Sequence, residues 1–226
     1  MNRQRILLFF SITLIGFTVQ AQGPGGIVPE LWYKSTDDVL KEDGTTPAID
    51  GDSVRIWTDL AGTVQNMSNT ADSKPFFRSN SSDNINGYPV IDFEGNDFLE
   101  TVGHTSIISG EYTKFVIYRV DAGAPNNLMS AGSPGNHAMF YENTTNLRMT
   151  HNLVNFVISG FSSSLNTNYI SSVRYNDAAS SPNNIVTVNG NITDGGDTDE
   201  AFNNGGTIQL GAYQSGFHFN GKIAEA

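Results

Sequence analysis

An all-β chain folded as a two-sheet antiparallel sandwich of the jelly-roll type is predicted by three observations. Short apolar or alternating runs recur between clusters of Gly, Asn, Ser, Asp and Pro, which is the pattern of strands joined by turns. Helical periodicity is nearly absent. The stretch Asn86-Gly87-Tyr88-Pro89-Val90-Ile91-Asp92-Phe93-Glu94-Gly95-Asn96-Asp97-Phe98-Leu99 places a turn, a period-two strand and a second turn in one short segment, as packed sheets require.

Ahead of the strands, Arg3 and Arg5 precede an apolar run from Ile6 to Val19 and a small-residue site at Val19-Gln20-Ala21. This predicts a secretory signal peptide over 1–21, cleaved after Ala21. The run falls short of the roughly 20 residues a membrane-spanning helix needs. The mature chain, 22–226, is therefore expected to lack a transmembrane segment and to be secreted or displayed at the cell surface. It is long enough for one sandwich and short for two domains.

There is no cysteine, so neither disulfides nor a lipid anchor on cysteine is available, and stability has to come from the core. Net charge is −11, and loss of Arg3 and Arg5 with the leader takes it to −13. The remaining Lys and Arg are scattered singly, which argues against nucleic acid as a partner.

The expected strands are, in order, Glu30 to Tyr33, Val54 to Thr58, Val90 to Glu94, Lys114 to Val120, Ala138 to Tyr141, Leu147 to His151, Tyr169 to Tyr175, Ile185 to Val188, Thr207 to Leu210 and Phe217 to Ala224. Phe115-Val116-Ile117-Tyr118 is apolar on both faces and is expected at the centre of a sheet. Tyr169, Ser171, Val173 and Tyr175 alternate with more polar neighbours, giving one core face and one wet face. Ile185 to Val188 runs into Asn189-Gly190, a dipeptide suited to the positive φ angles of a tight hairpin. Between Gly195 and Gly206 a long surface loop is expected. The final strand pattern is still running at Ala226, which suggests truncation and an exposed sheet edge.

Five segments in order resemble the concanavalin A-like lectin and glucanase superfamily, and more narrowly the laminin G-like jelly-roll domains of exported bacterial surface proteins. They are Leu31-Trp32-Tyr33-Lys34, Val54 to Asp59 with Leu60-Ala61-Gly62, Pro89 to Leu99, Ile185 to Gly190, and Leu210-Gly211-Ala212-Tyr213 leading to Phe219 to Glu225. The resemblance implies two curved sheets whose loops, in some members, hold calcium and a glycan or protein partner. Many members bind without cleaving. Members continue past the Ile-Ala-Glu segment, and exported relatives often carry a C-terminal sorting domain.

Asp92 and Glu94 lie two apart on one strand and point to one face, which raises a glycosidase with Asp92, Glu94 or Asp97 as acid and nucleophile. Glucanases of the superfamily show Glu-x-Asp-x-x-Glu, and the order here departs from it; a solvated strand face and turn is the expected role, with no catalytic residue assigned. Gly216 to Lys222 resembles a phosphate loop, but Ile223 stands where Ser or Thr would bind magnesium.

Pairing Tyr141 with Leu147 sets Phe140 opposite Arg148. Met139, Tyr141, Leu147 and Met149 then face the core, and Ala138, Phe140, Arg148 and Thr150 the other side. There Phe140, Arg148 and Thr150 are candidate sugar-binding residues, with simple cation–π packing as the alternative. The same register brings His137 opposite His151, a weak metal candidate. Asp194, Asp197 and Asp199, with Glu200, supply oxygen ligands of the kind calcium prefers, although the spacing matches no calcium loop. Trp32 and Trp57 are expected in the core. The expected function is a non-catalytic carbohydrate-binding or adhesion module whose partner is a glycan or surface protein. A glycoside hydrolase and a ligand-free structural spacer are the alternatives.

Overall fold

The computed structural model describes residues 26–101, 111–123, 126–131, 137–142, 146–151, 154–157, 161, 163–176, 182–196, 207–214 and 216–226. Their strands are, in chain order, β1 Val39–Lys41, β2 Val54–Trp57, β3 Met67–Ser68, β4 Phe76–Arg78, β5 Val90–Glu94, β6 Leu99–Thr101, β7 Glu111–Val120 and β8 Asn126–Ala131. The second half supplies β9 His137–Glu142, β10 Asn146–His151, β11 Val154–Val157, β12 Asn168–Asn176, β13 Asn184–Val188, β14 Asn191–Gly196, β15 Ile208–Leu210 and β16 Asn220–Glu225. They form two antiparallel sheets, ordered β1-β2-β3-β6-β15-β8-β9-β10-β11 and β14-β13-β12-β7-β16-β5-β4. The fold is thus an all-β two-sheet sandwich.

Alternation decides which side chains enter the core. On β7, Lys114, Val116, Tyr118 and Val120 are buried while Thr113 and Phe115 face out. β7 is the middle strand of its sheet, as its doubly apolar sequence predicts. On β12, Tyr169, Ser171, Val173 and Tyr175 turn inward, and the Tyr118 and Ser171 hydroxyls meet at 3.0 Å within the core. Trp57 is fully buried and packs on Tyr33 with ring centroids 5.9 Å apart. Trp32, by contrast, is only half-buried and donates its indole N–H to Glu225 at 2.8 Å.

The β13–β14 hairpin turns at Asn189 and Gly190, with φ of 49° and 79°, and pairs Val188 with Asn191. Both positive angles are what a type I′ turn requires and what Asn-Gly accepts at least cost.

Several expectations need correction. Glu30 to Tyr33 is not a strand; Pro29 and the turn residues after Ser35 leave a single bridge, Lys34 to Glu225. The last strand begins at Asn220 rather than Phe217, because Phe217 adopts φ 49° and breaks the extended run. β16 is not an exposed edge: it lies between β7 and β5, and Ala226 exchanges two backbone hydrogen bonds with Tyr33. Asp194 belongs to β14, opposite Ile185, rather than to a loop.

Candidate functional site

The predicted β9–β10 register is present: Leu147 faces Tyr141, Arg148 faces Phe140 and Thr150 faces Ala138. Met139, Leu147 and Met149 are buried in the core. On the other face Arg148 is half-buried and Thr150 is buried, and β11 pairs with β10 along its other edge, setting Arg148 opposite Val157. Thr150 therefore offers a ligand little surface. Asp197 and Asp199 lie outside the described residues. Among the described residues, no group of three or more His, Cys, Asp and Glu side chains is placed to hold a metal ion.

His137 points into the core instead of toward a surface metal. It is fully buried, and its Nδ1 lies 2.5 Å from Lys114 Nζ. Lys114 also sits 5.3 Å from the centroid of Tyr112, whose ring packs on His137 and Tyr175. Burial pushes the Lys114 pKa well below its ordinary value, since a charged amine loses its hydration there.

The strand-face carboxylates are held in an ion-pair network. Asp92 Oδ1 accepts from Lys222 Nζ at 3.0 Å, and its Oδ2 accepts from Arg78 Nε at 3.1 Å. Lys222 also donates to Asp121 at 2.5 Å, and Asp121 accepts from Arg119 at 3.0 Å. Glu94 stands 3.5 Å from Arg78. Asp97 is buried, takes the Glu94 backbone N–H at 2.7 Å, and has its pKa raised by desolvation. Asp92 is thus clamped by two cations and Asp97 closes a turn. The Asp92 contacts tie β5 to its two neighbours, β16 and β4. Lys222, the lysine of the apparent phosphate loop, has its charge engaged in the same network.

A groove of about 270 Å³ opens on the outer face of the seven-stranded sheet. Its floor is Ile85, Ile117 and Ala224, which with Val90 form a small apolar cluster apart from the main core. One wall is the Ile85–Tyr88 hairpin, and the other is formed by Lys34, Ser35 and Thr36, with Glu225 alongside. The hairpin turns through Asn86 and Gly87, with φ of 52° and 87°. It is closed by reciprocal Ile85–Tyr88 backbone hydrogen bonds of 3.0 and 2.9 Å. Ser35 Oγ donates to Pro89 O at 2.5 Å, tying the two walls together. Tyr88 remains 58% exposed. Asn86-Gly87 announces this turn in the sequence, but nothing local announces the surface beneath it, because Ile117 and Ala224 arrive from distant strands.

No protein-family model matches the chain, and no curated protein matches it. Among solved structures, Trypanosoma rangeli sialidase superposes with TM-score 0.56 at 11% identity, over 89% of this chain and 31% of the sialidase. The same enzyme in complex with the inhibitor DANA gives TM-score 0.55 at 12% identity, again over 89% and 31%. A heptameric SAP-like pentraxin from Limulus polyphemus gives TM-score 0.47 at 14% identity, over 60% of this chain and 72% of the pentraxin. The chain spans about a third of the sialidase length, and the similarity establishes a shared all-β fold.

Proposed function

We propose that this chain is an exported, non-catalytic jelly-roll module that binds carbohydrate or another surface partner as part of a larger protein. On this account it is akin to the laminin G-like domains of the concanavalin A-like superfamily. The observation that supports the non-catalytic reading is the engagement of the largely buried Asp92 by Lys222 and Arg78, which gives this carboxylate a structural role in the sheet. The N-terminal leader and the acidic charge support export and solubility. Among the described residues, no helix is long and apolar enough to cross a membrane. The bacterial, cell-surface setting follows from the sequence resemblance.

The test is a screen of the purified mature chain on an array of plant, bacterial and host glycans, with and without calcium. The proposal expects hits of modest affinity. A blank array at every calcium concentration contradicts the carbohydrate form of the proposal and leaves only a protein partner.

A further inference from the structure

We propose that the groove between the Ile85–Tyr88 hairpin and the Lys34/Glu225 bridge is a subsite for one residue of a neutral polysaccharide, its ring stacked on Tyr88. This rests on the binding function proposed above and assigns it a place other than the β9–β10 face.

Size comes first. The volume of about 270 Å³ equals roughly nine waters at their liquid share of ~30 Å³ each; that is room for one sugar ring, with the rest of a chain outside. The chemistry of the walls matches the two aspects of such a ring. A pyranose has an apolar C–H face and a rim of hydroxyls. The groove has an apolar floor of Ile85, Ile117 and Ala224 and an exposed tyrosine, bordered by the polar Thr36, Asn86 and Glu225. Aromatic rings with one wet edge suit this kind of mixed contact.

Charge selects a neutral ligand. Lys34 Nζ lies 3.4 Å from Asp37, and Glu225 accepts the Trp32 indole N–H, so the two rim charges already have partners. An anionic polymer also meets a strongly acidic protein, which opposes its approach.

The groove is preorganised. A two-residue hairpin holds one wall, and the Lys34–Glu225 bridge fixes the other, so little ordering entropy is lost on binding. Outside the groove the apolar strip continues: Ile117 pairs with Ile170, and Ile170 and Phe115 are 48% and 49% exposed on the same outer face. That strip gives adjacent sugar residues of a polymer a surface to lie on.

The experiment is affinity electrophoresis of the mature chain in gels containing laminarin, galactomannan, xylan or amylose, with alginate as the anionic arm. The wild type is expected to be retarded by at least one neutral polymer and not by alginate. Tyr88→Ala should weaken that retardation by about tenfold or more. Tyr88 is exposed, so this variant should fold, which circular dichroism checks; Ile192→Ser, on the edge strand β14, should migrate like wild type. If Tyr88→Ala is retarded as strongly as wild type, or only alginate retards the protein, the groove proposal is overturned. If Arg148→Ala alone abolishes retardation, the groove is overturned while the binding function stands. If no polymer retards the wild type, the groove proposal and the carbohydrate form of the binding function both fall.

Discussion

Lys222 and Asp92 stand directly opposite one another on β16 and β5, and the ammonium reaches the carboxylate at 3.0 Å. The two residues are 130 positions apart in the chain, and their contact joins the last strand of the seven-stranded sheet to the strand most open to a catalytic interpretation. Both side chains are largely buried, so solvent screens the pair only partly.

Asp92→Asn is therefore expected to lower stability by about 1–3 kcal/mol: it takes a charged partner from Lys222 and Arg78 in a poorly hydrated place, while Asp121 and Glu94 still offset part of the loss. Urea unfolding at low and high salt reads this out. The loss should persist in high salt, whereas a loss confined to low salt would make the pair an ordinary surface contact.

Gly211→Ala should be more damaging than its small size suggests. Gly211 has φ +82°, and an added Cβ would lie 2.4 Å from Phe93 Cδ1, inside the core between the sheets. Left-handed strain and overpacking together cost roughly 2–4 kcal/mol. The thermal midpoint measures it; a change too small to resolve would mean that Phe93 has space to move.

Parts of this architecture are legible in the sequence alone. Asn189-Gly190 specified its hairpin because only a few residues accept two positive φ angles. β12 showed its faces through strict alternation, and β9–β10 showed their register through matching apolar positions. The strands β1, β3, β4 and β6 span only two or three residues, too few for a period to emerge. Phe217 looked like a strand residue because apolar alternation does not report backbone φ. The clamp on Asp92 and the floor under Tyr88 were hidden for a different reason: each is assembled from strands far apart in sequence, and no local pattern encodes such a meeting.

Lys114 makes the stability depend on pH. Its folded pKa is lowered by burial, so between that depressed value and the ordinary lysine value of about 10.4 the unfolded chain holds a proton that the folded chain lacks. Stability therefore rises with pH in this window, by up to about 1.4 kcal/mol per unit from this group. His137 and Tyr112 face the amine. The Tyr112 pKa is raised by burial, so its own contribution lowers stability in the alkaline range and confines the clean window to below about pH 9.5. Lys114→Met should remove the rise and stabilise the protein near neutrality by about 1–3 kcal/mol. Equilibrium unfolding of both proteins between pH 7 and 9.5 checks it; equal slopes would mean that Lys114 stays charged in the core.

The most direct measurement of the central claim, that this sheet face is braced for structure and the module binds without cleaving, is reducing-end release from the polysaccharide that the wild type binds, with Asp92→Asn alongside. The account predicts retention of the polymer with no new reducing ends above buffer from either protein. New reducing ends from the wild type that vanish in a folded Asp92→Asn variant would contradict it and make Asp92 a catalytic residue.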